Sequence, residues 1–335
     1  MKGQGGGVTS VLGVGIEGAT IAVAPVDREG GQLAPALVAT CRTADQAAFL
    51  AGLQTALRRS LAQFAEHRPG ALGVTWPGTV DAGRSVVIAT PNLPVADAPL
   101  RARLEKALGL PVVLENHADA AVRAEATVGA AAGLQHVVLI ALGTGVGGGL
   151  WLNGRAYRGA NGGAGELGHI IVRAGGLPCL CGSHGCLEVY ASGRALVRYA
   201  AARAGDPGVD TSGELAVLQE KGKLTGAAVG RLALAGDKAA VDAVHELSRW
   251  LGAGLVSITN SFDPEMVVVG GGLGDLGELL LAPARDMVRK LAMPPGRDKV
   301  RVESAMLGER AGMIGGALTA WQELGETRRR AGSEG

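Results

Sequence analysis

Apolar positions near the amino terminus fall in two short runs, Val8–Val14 and Ala19–Val26, separated by Gly15-Ile16-Glu17-Gly18. That spacing predicts a β-hairpin, with a third strand near Ala36–Thr40. The period then becomes helical: Phe49, Leu50, Leu53, Leu57 and Leu61 share one face of a helix that starts after an Asp45 N-cap and reaches about Ala65. A strand at Ala71–Thr75 is predicted next, followed by a turn at Gly78–Gly83. A helix near Pro99–Leu108 is ended by Gly109. The buried strand Pro111–Leu114 leads into an Ala-rich helix, Ala118–Ala132.

The pattern restarts at His136–Leu142, with a turn at Gly143–Gly145 and a strand at Gly147–Leu152. Helices near Glu188–Ala204 and Asp237–Ser261, strand Met266–Val269, helix Leu276–Leu291, strand Val300–Glu303 and helix Ala311–Trp321 follow. The weaker stretch Gly205–Gly230 reads as a helical insertion and the charged tail from Glu323 as frayed. Two halves that each open with a hairpin and then alternate strand and helix predict a bilobal α/β fold with a cleft between the lobes. Residues 1–117, completed by helix 311–325, make the smaller lobe, and 118–310 the larger, which carries the loop 169–188.

A length of 335 residues suits two such domains. Lys+Arg 32 against Asp+Glu 31 leaves a net charge of +1, too weak a field to hold a nucleic acid. With 55 glycines and only 3% aromatics, the core must be Ala, Val and Leu, and much backbone must lie in tight turns. Glu17 interrupts the first apolar stretch, and Val137–Leu152 is glycine-broken and shorter than a bilayer requires. A cytoplasmic protein without a membrane partner is expected.

Four motifs carry candidate chemistry. Leu142-Gly143-Thr144-Gly145-Val146-Gly147-Gly148-Gly149 can turn backbone N–H groups and a hydroxyl toward a phosphate. Gly270-Gly271-Gly272, at a strand end, can admit a flat ligand such as adenine. Cys179, Cys181 and Cys186 with one imidazole make a tetrahedral zinc set, and either His169 or His184 can complete it. Such a zinc, with every position filled by protein, is structural. Glu166 and Glu188 flank this loop and can accept hydrogen bonds from a polyol. Cys41 has no assigned role.

The order of these pieces resembles the ROK family of sugar kinases and repressors, which includes bacterial glucokinases. The resemblance runs from about Leu12 to Trp321. It is carried by Gly78-Thr79-Val80-Asp81, Pro91-Asn92-Leu93-Pro94, Glu115-Asn116, Tyr157-Arg158-Gly159-Ala160-Asn161-Gly162, Glu166-Leu167-Gly168-His169 and the cysteine loop. Asp263-Pro264, Gly270–Gly272 and Ala311-Gly312-Met313-Ile314-Gly315-Gly316 agree as well. It implies an actin-like ATPase (ribonuclease H-like) fold that closes on a hexose, and a homodimer. Asn92, Asn116, Glu166, His169 and Glu188 would bind the sugar. Thr144, Gly145 and Gly147 would face ATP phosphates, and Gly271 and Gly272 the adenosine. The zinc would be held by His169, Cys179, Cys181 and Cys186. Family repressors carry a winged helix-turn-helix before the first strand, and the ten or so residues here leave no room for one.

Two departures fall on the chemistry. Kinases of the family read Asp-x-Gly-Gly-Thr-Lys where this chain reads Gly15-Ile16-Glu17-Gly18-Ala19-Thr20. The magnesium-positioning carboxylate is thus Gly15, and Glu17 brings negative charge to a phosphate position. The family's Asn-Asp-Ala-Asn is Asn116-His117-Ala118-Asp119, so an imidazole stands for the general base. Each oriented electrostatic group is worth roughly 10²–10³ in kcat, so the changes together predict a loss of about 10⁴ or more. The expectation is a sugar-binding homologue that no longer transfers phosphate from ATP and Mg²⁺, with His117 available as acid or base for another reaction. The competing expectation is an active ATP-dependent hexose or amino-sugar 6-kinase with His117 as base.

Overall fold

The computed structural model describes residues 8–90, 93–204 and 213–333. Asn92 and most of the start of the expected insertion, 205–212, lie outside the described residues. The chain forms two compact units, the first drawn from Met1–Gly133, Arg155–Ala164 and Glu309–Gly335, the second from Leu134–Gly154 and Gly165–Gly308.

In the first unit β1 (Ser10–Glu17) and β2 (Thr20–Val26) pair so that Glu17 faces Thr20. The turn is therefore Gly18-Ala19, with Gly18 at φ +54°, rather than the four-residue loop expected from sequence. Ile16 explains the difference: it is fully buried opposite Ile21, which draws Gly15, Ile16 and Glu17 into the strand. β3 (Leu37–Thr40), β4 (Pro69–Trp76), the small hairpin of β5 (Thr79–Val80) and β6 (Val87–Ala89), and β7 (Val112–Asn116) follow. The main sheet has the order β3-β2-β1-β4-β7, antiparallel through its first three strands and parallel from β1 to β7.

Helix α1 (Gln46–Gln63) starts where Asp45 accepts a hydrogen bond from the Ala48 N–H, and its apolar face covers the sheet around Trp76. Helix α2 (Leu100–Leu108) stops at Gly109, which takes φ +68°. Helix α3 (His117–Val128) follows β7 without a loop.

The C-terminal helix, Arg310–Ser333, lies on the same sheet. A Cβ at Gly73 would overlap the carbonyl of Gly316, and one at Gly13 would overlap that of Met313, so backbone meets backbone there. Its last turns are helical rather than frayed. Glu323 pairs with Arg84 at 3.3 Å and Arg101 at 3.5 Å, and Gln322 Nε2 donates to Glu326 Oε1 at 2.9 Å. Helix α3 packs on this helix closely enough that a Cβ at Gly315 would overlap the Ala120 carbonyl. That packing moves the first boundary to Gly133, against the expected end at residue 117.

The second sheet has the order β10-β9-β8-β11-β12. Its strands are β8 (His136–Leu142), β9 (Val146–Leu152), β10 (Arg155–Ala156), β11 (Met266–Gly270) and β12 (Arg301–Ser304). β8 and β9 are antiparallel, while β11 runs parallel to both β8 and β12. The same strand order in both sheets is the duplicated topology of the actin-like ATPase fold.

Around it are α4 (Glu188–Ala191), α5 (Gly193–Ala204), α6 (Glu214–Glu220), α7 (Gly226–Leu234), α8 (Lys238–Phe262), α9 (Glu278–Leu291) and α10 (Gly296–Lys299). The C-terminal helix is α11. The single helix expected over 188–204 is broken at Ser192, whose backbone is extended, because the Gly193 N–H donates to Gly143 O at 2.8 Å in the β8–β9 turn. No described helix is long and apolar enough to cross a membrane.

Candidate functional site

Within the second unit, a short 3₁₀ turn, Leu167–His169, presents the imidazole to the cysteine loop. The Nδ1 of His169 and the Sγ atoms of Cys179, Cys181 and Cys186 all lie within 4.8 Å of one another. Cys181 and Cys186 are 3.7 Å apart, and Cys179 is 3.7 Å from His169 Nδ1. A disulfide would bring sulfurs to about 2 Å. A zinc tetrahedron with Zn–S of ~2.3 Å has an edge of about 3.8 Å, so the spacing fits a cation among four ligands. His184 is exposed and outside the group, whereas His169, the ligand that the family resemblance implied, lies within it.

Burial and the neighbouring thiols push Cys186 up to about 12, while hydrogen bonding by Ser183 draws Cys181 down. The loop is braced from outside the ligand set. Tyr190 Oη accepts from the Leu177 N–H at 2.7 Å, and the Tyr190 ring stacks on Trp250 at 4.3 Å.

Glu188 opens α4 and reaches the β8–β9 turn. Its Oε2 accepts from the Val146 N–H at 3.0 Å, and its Oε1 pairs with Arg194 at 3.1 Å. Arg194 Nε in turn donates to Thr144 O at 3.0 Å. A Cβ at Gly145 would overlap the Glu188 carboxylate, so a side chain there would push that carboxylate aside. Glu188 thus shapes the glycine turn, a role the sequence did not suggest. Glu166 is exposed, and His169 half-buried.

The five residues expected to meet a nucleotide separate into distinct roles. Thr144 and Gly145 lie in the turn, with Thr144 exposed. Gly147 lies in β9 opposite Ala141, outside the turn. Gly271, at φ +79°, packs against the carbonyl of Leu142, whereas Gly272 faces open space.

The first unit places its candidates at the junction of β7 and α3. Asn116 is the N-cap of α3: its Oδ1 accepts from Ala118 N–H at 2.7 Å and Asp119 N–H at 3.2 Å, and its Nδ2 donates to Gly78 O at 2.8 Å. His117 is the first residue of α3, its ring set against Gly312, where a Cβ would stand 2.6 Å from Cε1. Its Nδ1 is buried and has no hydrogen-bond partner. Burial holds the imidazole pKa below its usual range, with the Glu17 carboxylate pulling the other way, so the ring is uncharged at neutral pH. Gly15 sits in β1 opposite Thr75, and a Cβ there would lie 3.4 Å from Met313 Cβ, close but not excluded.

Sequence reasoning missed the charge cluster beneath this junction. Glu115 is fully buried between Arg84, at 2.8 Å, and Arg158, at 3.0 Å. Arg158 also approaches Asp119 Oδ2 at 3.4 Å and donates to the carbonyls of Val80, Asp81 and Ala82. Burial, and then the Glu115 charge, push Asp119 up to about 7, and its Oδ1 has no partner. Arg123 links the cluster to α11 through Gln322 Oε1 at 2.9 Å. The signal available in the sequence was Arg158 inside the Tyr157–Gly162 motif.

The ROK family model matches residues 11–323. The chain is 40% identical over 312 residues to the glucokinase of Streptomyces coelicolor, covering 91% of this chain and 96% of that protein. Its structure superposes on a ROK family glucokinase from Streptomyces griseus in complex with glucose and AMPPNP (TM-score 0.79, 38% identity, 92% of this chain and 98% of that one). A ROK hexokinase from Thermus thermophilus is similar as well (TM-score 0.75, 37% identity, 95% and 100% covered).

Proposed function

The chain belongs to the ROK family, and from that premise we propose that it binds a hexose-like sugar but has lost most of its phosphoryl transfer. Glucose in the Streptomyces griseus glucokinase supports the ligand class. Following the resemblance, Glu166, His169 and Glu188 of the second unit and Asn92 and Asn116 of the first are assigned to sugar hydroxyls. A zinc ion fits the set His169, Cys179, Cys181 and Cys186, two of whose separations, at 3.7 Å, match the edge of a tetrahedron. Bound there, it supplies structural order, fixing the ring of His169 and the segment that carries Glu166.

The observation that carries the loss is the pair Gly15 and His117, at the two positions where the family's kinases have aspartate. Gly15 offers no ligand oxygen to magnesium. Next to it the strand ends in the exposed carboxylate of Glu17, which repels a phosphate. Asp119 is a poor replacement for the missing ligand, because burial pushes its carboxyl up to about 7 and its Oδ2 is engaged by Arg158. The residues present do not fit a tethered Mg²⁺.

One observation favours the competing reading of an active kinase: the uncharged His117 ring, with an unpartnered Nδ1, is in the right protonation state to take a proton from a sugar hydroxyl. Calorimetry with glucose, mannose and their amino sugars, beside a coupled assay for ATP-dependent turnover, separates the two. Saturable sugar binding is expected, with turnover that rises about 10²-fold or more in the Gly15→Asp/His117→Asp variant. Wild-type turnover at a rate ordinary for a glucokinase would overturn the loss and establish the kinase.

A further inference from the structure

The second unit gathers positive charge at the end of its sheet away from the glycine turns. Those turns follow the C-terminal ends of β8 and β11, whereas β12 begins at Arg301, beside Met266 at the start of β11. There α9, α10 and the edge strand β12 enclose a cavity of 180 Å³ lined by four arginines, Arg285, Arg289, Arg297 and Arg301, and by one carboxylate, Glu303.

The carboxylates nearby are already engaged. Arg285 takes both Glu278, at 2.6 Å, and Glu303, at 3.2 Å, and donates from Nε to Val302 O at 2.6 Å. Among the described residues, Arg297 pairs with its neighbour Asp298 at 3.5 Å. Among the described residues, no carboxylate lies within ion-pair distance of Arg289 or Arg301. The lining thus carries four arginines against one carboxylate, with Arg289 and Arg301 exposed and Glu265 close enough to Arg301 to feel its charge, and an anion held between the arginines would add to their counter-charge. Val288, Val300 and Val302 supply an apolar wall, which strengthens any charge interaction made against it.

We infer that this cavity is a binding site for a small oxyanion of the phosphate class. At about 30 Å³ per water, 180 Å³ holds roughly six waters, too little for a drug-sized ligand but enough for orthophosphate, pyrophosphate or the terminal phosphate of a metabolite. Guanidinium forks match phosphate oxygens in pairs, which favours this class over a spherical anion.

The test is calorimetric titration of the full chain with pyrophosphate, orthophosphate and glucose 6-phosphate at physiological salt. Saturable binding is expected, weakened about tenfold or more in Arg289→Ala/Arg297→Ala and unchanged in Arg59→Ala, an exposed arginine of α1 used as a control for bulk charge. Unliganded melting temperatures equal to wild type will show that the double variant is folded. Tighter binding of the sugar phosphate would make a metabolite the source, and tighter binding of pyrophosphate the free anion, provided either depends on Arg289 and Arg297. Absence of saturable binding, full affinity in the double variant, or an equal loss in Arg59→Ala would overturn the inference.

Discussion

The cysteine loop of the second unit gathers side chains that could hold a cation, whereas the start of α3 in the first unit is held by side chains that bring their own counter-charges. In the loop, three thiols and an imidazole face one another at tetrahedral spacing, with no positive group among them. Beneath α3, two carboxylates are buried side by side, and Arg158 and Arg84 neutralise them from within the chain. One region invites an ion; the other has made an ion unnecessary. That contrast is what the proposed reading, sugar binding without phosphoryl transfer, leads one to expect.

The sharpest way to break this comparison is to remove the metal. Elemental analysis should find one zinc per chain, and a strong chelator or Cys186→Ser should abolish sugar binding. The expected destabilisation is several kcal/mol, read as a fall of about 10 °C or more in melting temperature. If chelation leaves both unchanged, the loop is not a metal site. Next in size, Arg158→Ala strips the counter-charge from Glu115 and Asp119, and urea unfolding should register a loss of about 3–5 kcal/mol. It should do so with the zinc content intact.

A smaller effect follows from Asp119, whose pKa near 7 in the folded chain exceeds its ordinary 3.8. The folded state binds this proton more tightly than the unfolded state. The stability it contributes is therefore complete below pH about 4 and lost as pH rises through about 7. Asp119→Asn should flatten that part of the stability–pH curve and raise stability at pH 8 by roughly a few kcal/mol at most, measured by urea unfolding at pH 5 and pH 8. The smallest expected effect lies on the loop side. Tyr190→Phe loses one hydrogen bond to Leu177, about 1 kcal/mol or roughly 2–4 °C, with zinc retained.

Local signals in the sequence were good guides where one residue type governs one event. Asp45 caps α1, Gly109 ends α2, and the cysteine spacing pointed to the loop whose thiols gather beside His169. Spacing alone did not separate His169 from His184, because both lie close to the cysteines along the chain; the family resemblance pointed to His169, which lies in the cluster. The Glu115 cluster was hidden for a related reason: its members come from positions 84, 115, 119 and 158, and no periodicity connects them. The break at Ser192 depends on a carbonyl fifty residues earlier, at Gly143. The charged tail misled in the opposite direction. Its composition suggested fraying, but Glu323 finds arginines on two other elements.

The placement of α11 bears on how the chain is made. The first sheet is assembled from residues at the beginning of the polypeptide, yet Gly13 and Gly73 reserve their space for the backbone of Met313 and Gly316. During synthesis at about 5–20 residues per second, that surface has no partner until α11, which lies far downstream of β1 and β4, has been made. The strands of the first sheet therefore wait for α11, so a chain broken off before that helix leaves exposed the face that Gly13 and Gly73 keep clear for it.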